Sequence, residues 1–96
     1  MREKTIQNGI EKTLKVINRM ENTNSIDDIF ENVKITNKLT LEVNCFRNDE
    51  EESEYYGMPF MYEVYAIKED KSEDCVTITD IRKAKEEIEY LLKCYV

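Results

Sequence analysis

The stretch "NDEEESEYYGMP", residues 48–59, gathers the side chains of this sequence best equipped for chemistry. Residues 49–54 carry five carboxylates (Asp49, Glu50, Glu51, Glu52 and Glu54), and Tyr55, Tyr56 and Met58 follow at once. Clustered carboxylates suit two tasks, holding a hard cation through oxygen or meeting a basic surface. The first needs a spacing that is missing here. A calcium-binding loop of the helix–loop–helix type alternates its oxygen ligands, with Gly at the sixth position and Glu at the twelfth. Counting from Asp49 puts Glu54 where the glycine belongs. Asp70, Ser72 and Asp74 alternate correctly, but Cys75 and Ile81 then fill the sixth and twelfth positions. No metal or cofactor is expected from either run, and a charged loop between two strands accounts for the first of them.

Other catalytic chemistry is poorly supplied. The chain has no histidine, so the commonest general base and the usual partner of a Ser or Cys nucleophile are missing. Glu63 is the only carboxylate inside an aromatic-rich segment, and an exposed strand position explains it. Gly9 and Gly57 are the only glycines, which excludes a phosphate-cradling glycine loop. Zinc prefers thiolate and imidazole at short spacing, whereas Cys75 and Cys94, the nearest two of three cysteines, lie 19 residues apart. Arg82, Lys83 and Lys85 open the last helical segment, where the helix dipole disfavours cations. They read either as an anion site or as a balance to the neighbouring acidic loops.

Charge is unevenly placed. The formal net charge is −7; residues 1–48 hold 8 basic against 7 acidic side chains, and residues 49–96 hold 6 against 14. Such a field repels nucleic acid and anionic lipid and attracts basic surfaces. The chain therefore reads as a protein that binds neither nucleic acid nor membrane directly. Three scattered cysteines, with no secretory leader and no apolar run of membrane-spanning length, point to reduced thiols and a cytoplasmic setting. At 96 residues with 41% hydrophobic content, residues 1–96 are expected to form one globular domain. Frequent Ile, Asn, Lys and Glu with two alanines suggest an AT-rich genome.

The elements that must position these groups follow from periodicity. Ile6, Ile10, Leu14, Ile17 and Met20 recur at three- and four-residue steps, which predicts an amphipathic helix ending near "ENTNS". Ser25 and Asp28 resemble a helix start signal, and Ile26, Ile29, Phe30 and Val33 continue at helical spacing, so a short second helix is expected. From Val33 the period becomes two: Ile35, Leu39, Leu41, Val43 and Cys45 all fall on odd positions. A two-residue turn at Asn37-Lys38 would break that phase, so the pattern predicts an extended lead-in to a single strand at 38–47. "PFMYEVYAIK" (59–68) and "CVTIT" (75–79) are the next strands. Asp80 then caps a helix with the stripe Ile81, Ala84, Ile88, Leu91, Leu92 and Tyr95. The expected class is α+β: an antiparallel meander of three to four strands, in the order α-α-β-β-β-α.

The strand at 59–68 is apolar on both faces. Phe60, Tyr62, Val64 and Ala66 share one side, while Met61, Tyr65 and Ile67 share the other with Glu63. Either the N-terminal helix covers the second side or it is open to a partner. Aromatics and methionine beside carboxylates are typical of protein-binding surfaces. The candidate partner-binding set is therefore Asp49, Glu50, Glu51, Glu52, Glu54, Tyr55, Tyr56, Met58, Met61 and Tyr65. In size, charge and lack of catalytic residues the chain is similar to small acidic proteins of bacteria and their mobile elements, such as immunity proteins, antitoxins and phage inhibitors of host defences. That likeness implies a non-enzymatic inhibitor that masks a basic partner, with carboxylates standing in for phosphates if the partner handles nucleic acid. The alternative is a small-ligand-binding or enzyme domain, as a homodimer, with a pocket between sheet and helices that uses Glu63 and tyrosine hydroxyls.

Overall fold

The computed structural model describes residues 2–22, 29–47 and 60–96. Its elements run α1 (Arg2–Glu21), β1 (Ile29–Lys34), β2 (Leu39–Arg47), β3 (Phe60–Lys68), β4 (Lys71–Ile78), a 3-10 turn (Ile81–Lys83) and α2 (Ala84–Tyr95). The four strands form one antiparallel sheet in the order β1-β2-β3-β4, a meander, with a helix at each end of the described chain. The α+β class and the antiparallel sheet hold. Among the described residues the order is α-β-β-β-β-α, with one helix fewer and one strand more than the periodicity suggested.

That difference lies in residues 29–34. Ile29, Phe30 and Val33 fit a helical stripe, but so short a stretch makes a marginal helix in water. As a strand it pairs along its whole length with β2, Phe30 opposite Asn44 and Val33 opposite Leu41. The turn that permits this pairing is longer than the two residues weighed from the sequence. Ile35 N–H donates to the Leu39 carbonyl at 3.0 Å, closing a loop over Thr36, Asn37 and Lys38. Three loop residues preserve the odd phase that two would break, so Val33, Ile35, Leu39 and Leu41 stay on one side. Thr36 Oγ1 fastens the loop by accepting from Lys38 N–H at 3.1 Å and Leu39 N–H at 3.0 Å. The uninterrupted parity was a hairpin signal.

β4 begins at Lys71, earlier than the apolar "CVTIT" indicated. Only Glu69 and Asp70 connect β3 to β4, both at positive φ (51° and 64°), as a two-residue hairpin of matching twist requires. Its polar first half "KSED" tolerates strand geometry because β4 is an edge. The ladder slips beside Ala66, where Glu73 is the extra residue.

Both helices lie on one side of the sheet. Leu39, Leu41, Val43 and Cys45 of β2, Tyr62, Val64 and Ala66 of β3, and Val76 and Ile78 of β4 are buried beneath them. From α1 come Ile6, Ile10, Val16, Ile17 and Met20, and from α2 Ala84, Ile88, Leu91 and Leu92. Ile81, Leu14 and Tyr95 pack at the margin. Gly9 lets α1 pack against Leu92 of α2: a Cβ there would lie 2.9 Å from Leu92 Cδ1 and 3.1 Å from Ile35 Cδ1. Thr13, the buried polar residue of α1, is satisfied by donating to the Gly9 carbonyl at 2.7 Å.

Leu91 is fully enclosed, so Leu91→Ala should lower unfolding free energy by about 2–5 kcal/mol in chemical denaturation. Tyr62 tests the core from the other direction. Its hydroxyl is sealed in with only the weakly bonding Cys45 thiol to meet it, and burial, with that thiol opposite, holds the phenol well above its ordinary pKa. Tyr62→Phe removes a buried hydroxyl met only by a thiol, at nearly constant volume, so stability should stay level or rise by about 1 kcal/mol.

Candidate functional site

Sheet parity decides what the second face carries. With odd positions of β2 and even positions of β3 turned toward the helices, the reverse face presents Phe30, Asn32 and Lys34 from β1. It continues with Thr40, Glu42, Asn44 and Phe46 from β2, Met61, Glu63, Tyr65 and Ile67 from β3, and Cys75 and Thr77 from β4. α1 packs on the opposite side and does not cover it. The four β3 residues are half-buried by their neighbours, and Phe30 is 66% exposed.

At its centre four polar side chains form a patch across two strands. Glu42 lies opposite Tyr65 and Asn44 opposite Glu63. Tyr65 Oη donates to Glu63 Oε2 at 2.6 Å, and Asn44 Nδ2 donates to Glu42 Oε2 at 3.3 Å. Each carboxylate thus receives a neutral donor along its own strand, and neither meets a lysine or arginine among the described residues. Phe46 and Met61, opposite one another, flank the patch at one end, and Ile67, opposite Thr40, flanks it at the other. The hydrogen bond to Glu63, with the Cys75 thiol also near, raises the Tyr65 phenol from 10.0 to about 12. Cys75, opposite Tyr65, is itself shifted upward by burial first and then by Glu63. Both hydroxyl and thiol are therefore kept protonated, which suits binding through donors better than nucleophilic attack.

Of the residues singled out from the sequence, Met61 and Tyr65 stand on this face. Asp49, Glu50, Glu51, Glu52, Glu54, Tyr55, Tyr56 and Met58 lie outside the described residues, in the connection that leaves β2 at Arg47 and returns to β3 at Phe60. Glu63 is on the face away from the helices, so the pocket imagined between sheet and helices does not include it. That interlayer space is filled by core side chains. Cavities open on the surface instead: one of about 410 Å³ among Lys38, Lys68, Glu69, Lys71 and Glu73, and one of about 280 Å³ beside Glu3, Ile6, Gln7, Glu89 and Lys93.

Phe30 was missed because its segment read as helical, and only in a strand does it turn away from Val33. Glu42 and Asn44 were visible as polar alternates, but their junction with Glu63 and Tyr65 depends on register. Arg82 is not open to an anion. Arg82 Nε and Nη2 grip Asp80 at 3.0 and 2.7 Å, and the same carboxylate accepts the Arg82 N–H at 3.0 Å. These contacts hold the Asp80 carboxyl down near 2. The stabilisation they bring is whole above pH 3.8 and is lost as pH falls toward 2.

Among the described residues no group of three or more Cys, Asp or Glu side chains is arranged to hold a metal, and no helix is long and apolar enough to cross a membrane. Cys45 is buried, Cys75 and Cys94 are exposed, and none of the three is joined in a disulfide. Comparison with protein-family models, with curated proteins and with solved structures finds no match to this chain.

The Tyr65–Glu63 bond makes a direct expectation. Glu63→Ala should return the Tyr65 phenol from about 12 toward 10.0, read by NMR titration of the ring. In the wild type the stability tied to this bond is complete below pH 10.0 and is lost as pH rises toward 12.

Proposed function

We propose that this is a small, acidic, non-enzymatic binding protein of the cytoplasm that masks a basic surface on a partner protein. One observation carries the reading. The sheet face left open by both helices sets two carboxylates, Glu42 and Glu63, without cationic partners among the described residues, beside Phe46, Met61, Tyr65 and Ile67. Half-buried carboxylates surrounded by apolar side chains gain most from a cation that displaces water as it arrives. Apolar anchors beside them supply contact area and slow dissociation.

The acidic run at 49–54 extends the same chemistry by sequence, since it belongs to the connection between the two strands that build the patch. Five carboxylates there would steer a basic partner toward the face before contact. A partner that handles nucleic acid fits this picture, with carboxylates taking the places of phosphates. The protein would then act by occupancy, as inhibitors of the immunity, antitoxin and phage anti-defence kinds do.

Affinity capture from the source cell followed by binding kinetics tests this. Replacing Glu50, Glu51 and Glu52 with lysine should chiefly slow association, with the largest difference at low salt, where the Debye length exceeds about 10 Å. Tyr65→Ala should instead speed dissociation by about tenfold or more while leaving association nearly unchanged. Unaltered kinetics in both variants, with circular dichroism showing native folds, would remove the electrostatic docking surface from consideration.

A further inference from the structure

We infer that the free edge of β1 is an interface between two copies of this chain, which joins their sheets by antiparallel pairing of β1 with itself. This rests on β1 alone and is independent of the partner proposed for the open face.

The two edges of the sheet are built differently. β4 carries the devices that discourage strand addition: Lys71, an extra residue at Glu73 that breaks the ladder, and exposed side chains through its first half. β1 has a lysine only at its last position, Lys34, and no break in its ladder. Its register with β2 is unbroken from Ile29 to Lys34, it contains no proline, and its one acidic residue, Glu31, is bound to Arg19. Phe30, the most exposed large hydrophobic side chain among the described residues, stands on this edge strand beside the polar Asn44.

Backbone phase identifies the groups that face outward. Since Ile35 N–H donates to the Leu39 carbonyl, that pair is a hydrogen-bonded one, and alternation gives the same role to Val33 with Leu41 and Glu31 with Val43. The N–H and C=O groups of Phe30, Asn32 and Lys34 therefore point away from β2, toward a neighbour that the sheet does not supply. A second copy related by a two-fold axis through Asn32 satisfies them all. Asn32 meets Asn32 of the second copy, and Phe30 meets Lys34 of the second copy, twice by symmetry.

This register is chosen by its chemistry. The Phe30–Lys34 contact sets a cation against an aromatic ring on the same side as the open face. On the helix side, Glu31 comes opposite Val33. Sliding the strands by two residues one way would set Glu31 against Glu31, like charges face to face. Sliding them the other way would carry Phe30 past the end of β1, opposite the loop residue Thr36. Only the central register uses every outward backbone group without opposing like charges.

Sedimentation equilibrium of the whole chain over about 5–500 µM tests the interface, because a single strand pair is a small contact and a dissociation constant of about 1–100 µM is expected. The mass should rise from 11.5 kDa toward twice that value. Added salt should strengthen association, since it screens the repulsion between two chains of charge −7. Asn32→Pro removes an N–H that the β1–β2 ladder does not use, and Phe30→Lys sets lysines opposite one another. Each should raise the dissociation constant by about tenfold or more with native circular dichroism. Adding Lys34→Glu to Phe30→Lys should restore pairing. A wild-type chain that remains at 11.5 kDa throughout would overturn the proposal and leave the edge to a strand of another protein. A dimer unaffected by both Asn32→Pro and Phe30→Lys would overturn it as well, since the contact would then lie elsewhere.

Discussion

Alternation of side chains along four strands in fixed register is the constraint on which everything else in this protein depends. Because Leu41 pairs with Val33 on one side and Ala66 on the other, one parity of each strand is committed to the helices and the other is excluded from them. A slip of a single residue in β2 would send Glu42 and Asn44 inward and Leu41 and Val43 outward. The three-residue loop at 36–38 and the two-residue turn at 69–70 keep the phase on either side of the two central strands. The layer of helices then follows, since only one face of the sheet carries a continuous buried apolar core.

Much of this was visible in the amino-acid sequence, and the failures have physical causes. Long periodic segments identified α1, β2, β3 and α2, because each spans enough residues for its period to dominate. Residues 29–34 were too few to separate a period of 3.6 from one of two, and Ile29, Phe30 and Val33 satisfy the helical stripe while Val33 also opens the strand alternation. The decisive influence was the neighbouring β2, which offers this segment backbone partners that no local pattern records. β4 was underestimated for the opposite reason: "KSED" lacks any apolar signal, and an edge strand does not need one.

The candidate site was legible to a lesser degree. Met61, Glu63 and Tyr65 could be assigned to one face from β3 alone. Whether that face was covered could not, since an amphipathic helix such as α1 fits either side of a sheet until the partner stripe is known. The patch of Glu42, Asn44, Glu63 and Tyr65 joins residues about twenty apart in the chain, and only the pairing of β2 with β3 sets them side by side. For Arg82 the sequence offered both an anion site and a balance to neighbouring acidic residues. It missed that the capping residue, Asp80, is also its ion-pair partner.

The contact between the two ends of the described chain has a kinetic consequence. Arg2 donates to the backbone carbonyls of Val96 and Lys93, so α1 helps to cap the last turn of α2 across a separation of 94 residues. The chain between them is the whole sheet. A contact that closes so long a loop gains little until the intervening strands have already drawn its ends together, because the entropy of closure comes before the reward. Docking of the helices against each other at Gly9 therefore belongs to the late side of the folding barrier, after the meander has formed from its short-range hairpins. Unfolding would run the same sequence backwards, with the helix pair parting first and the strands last.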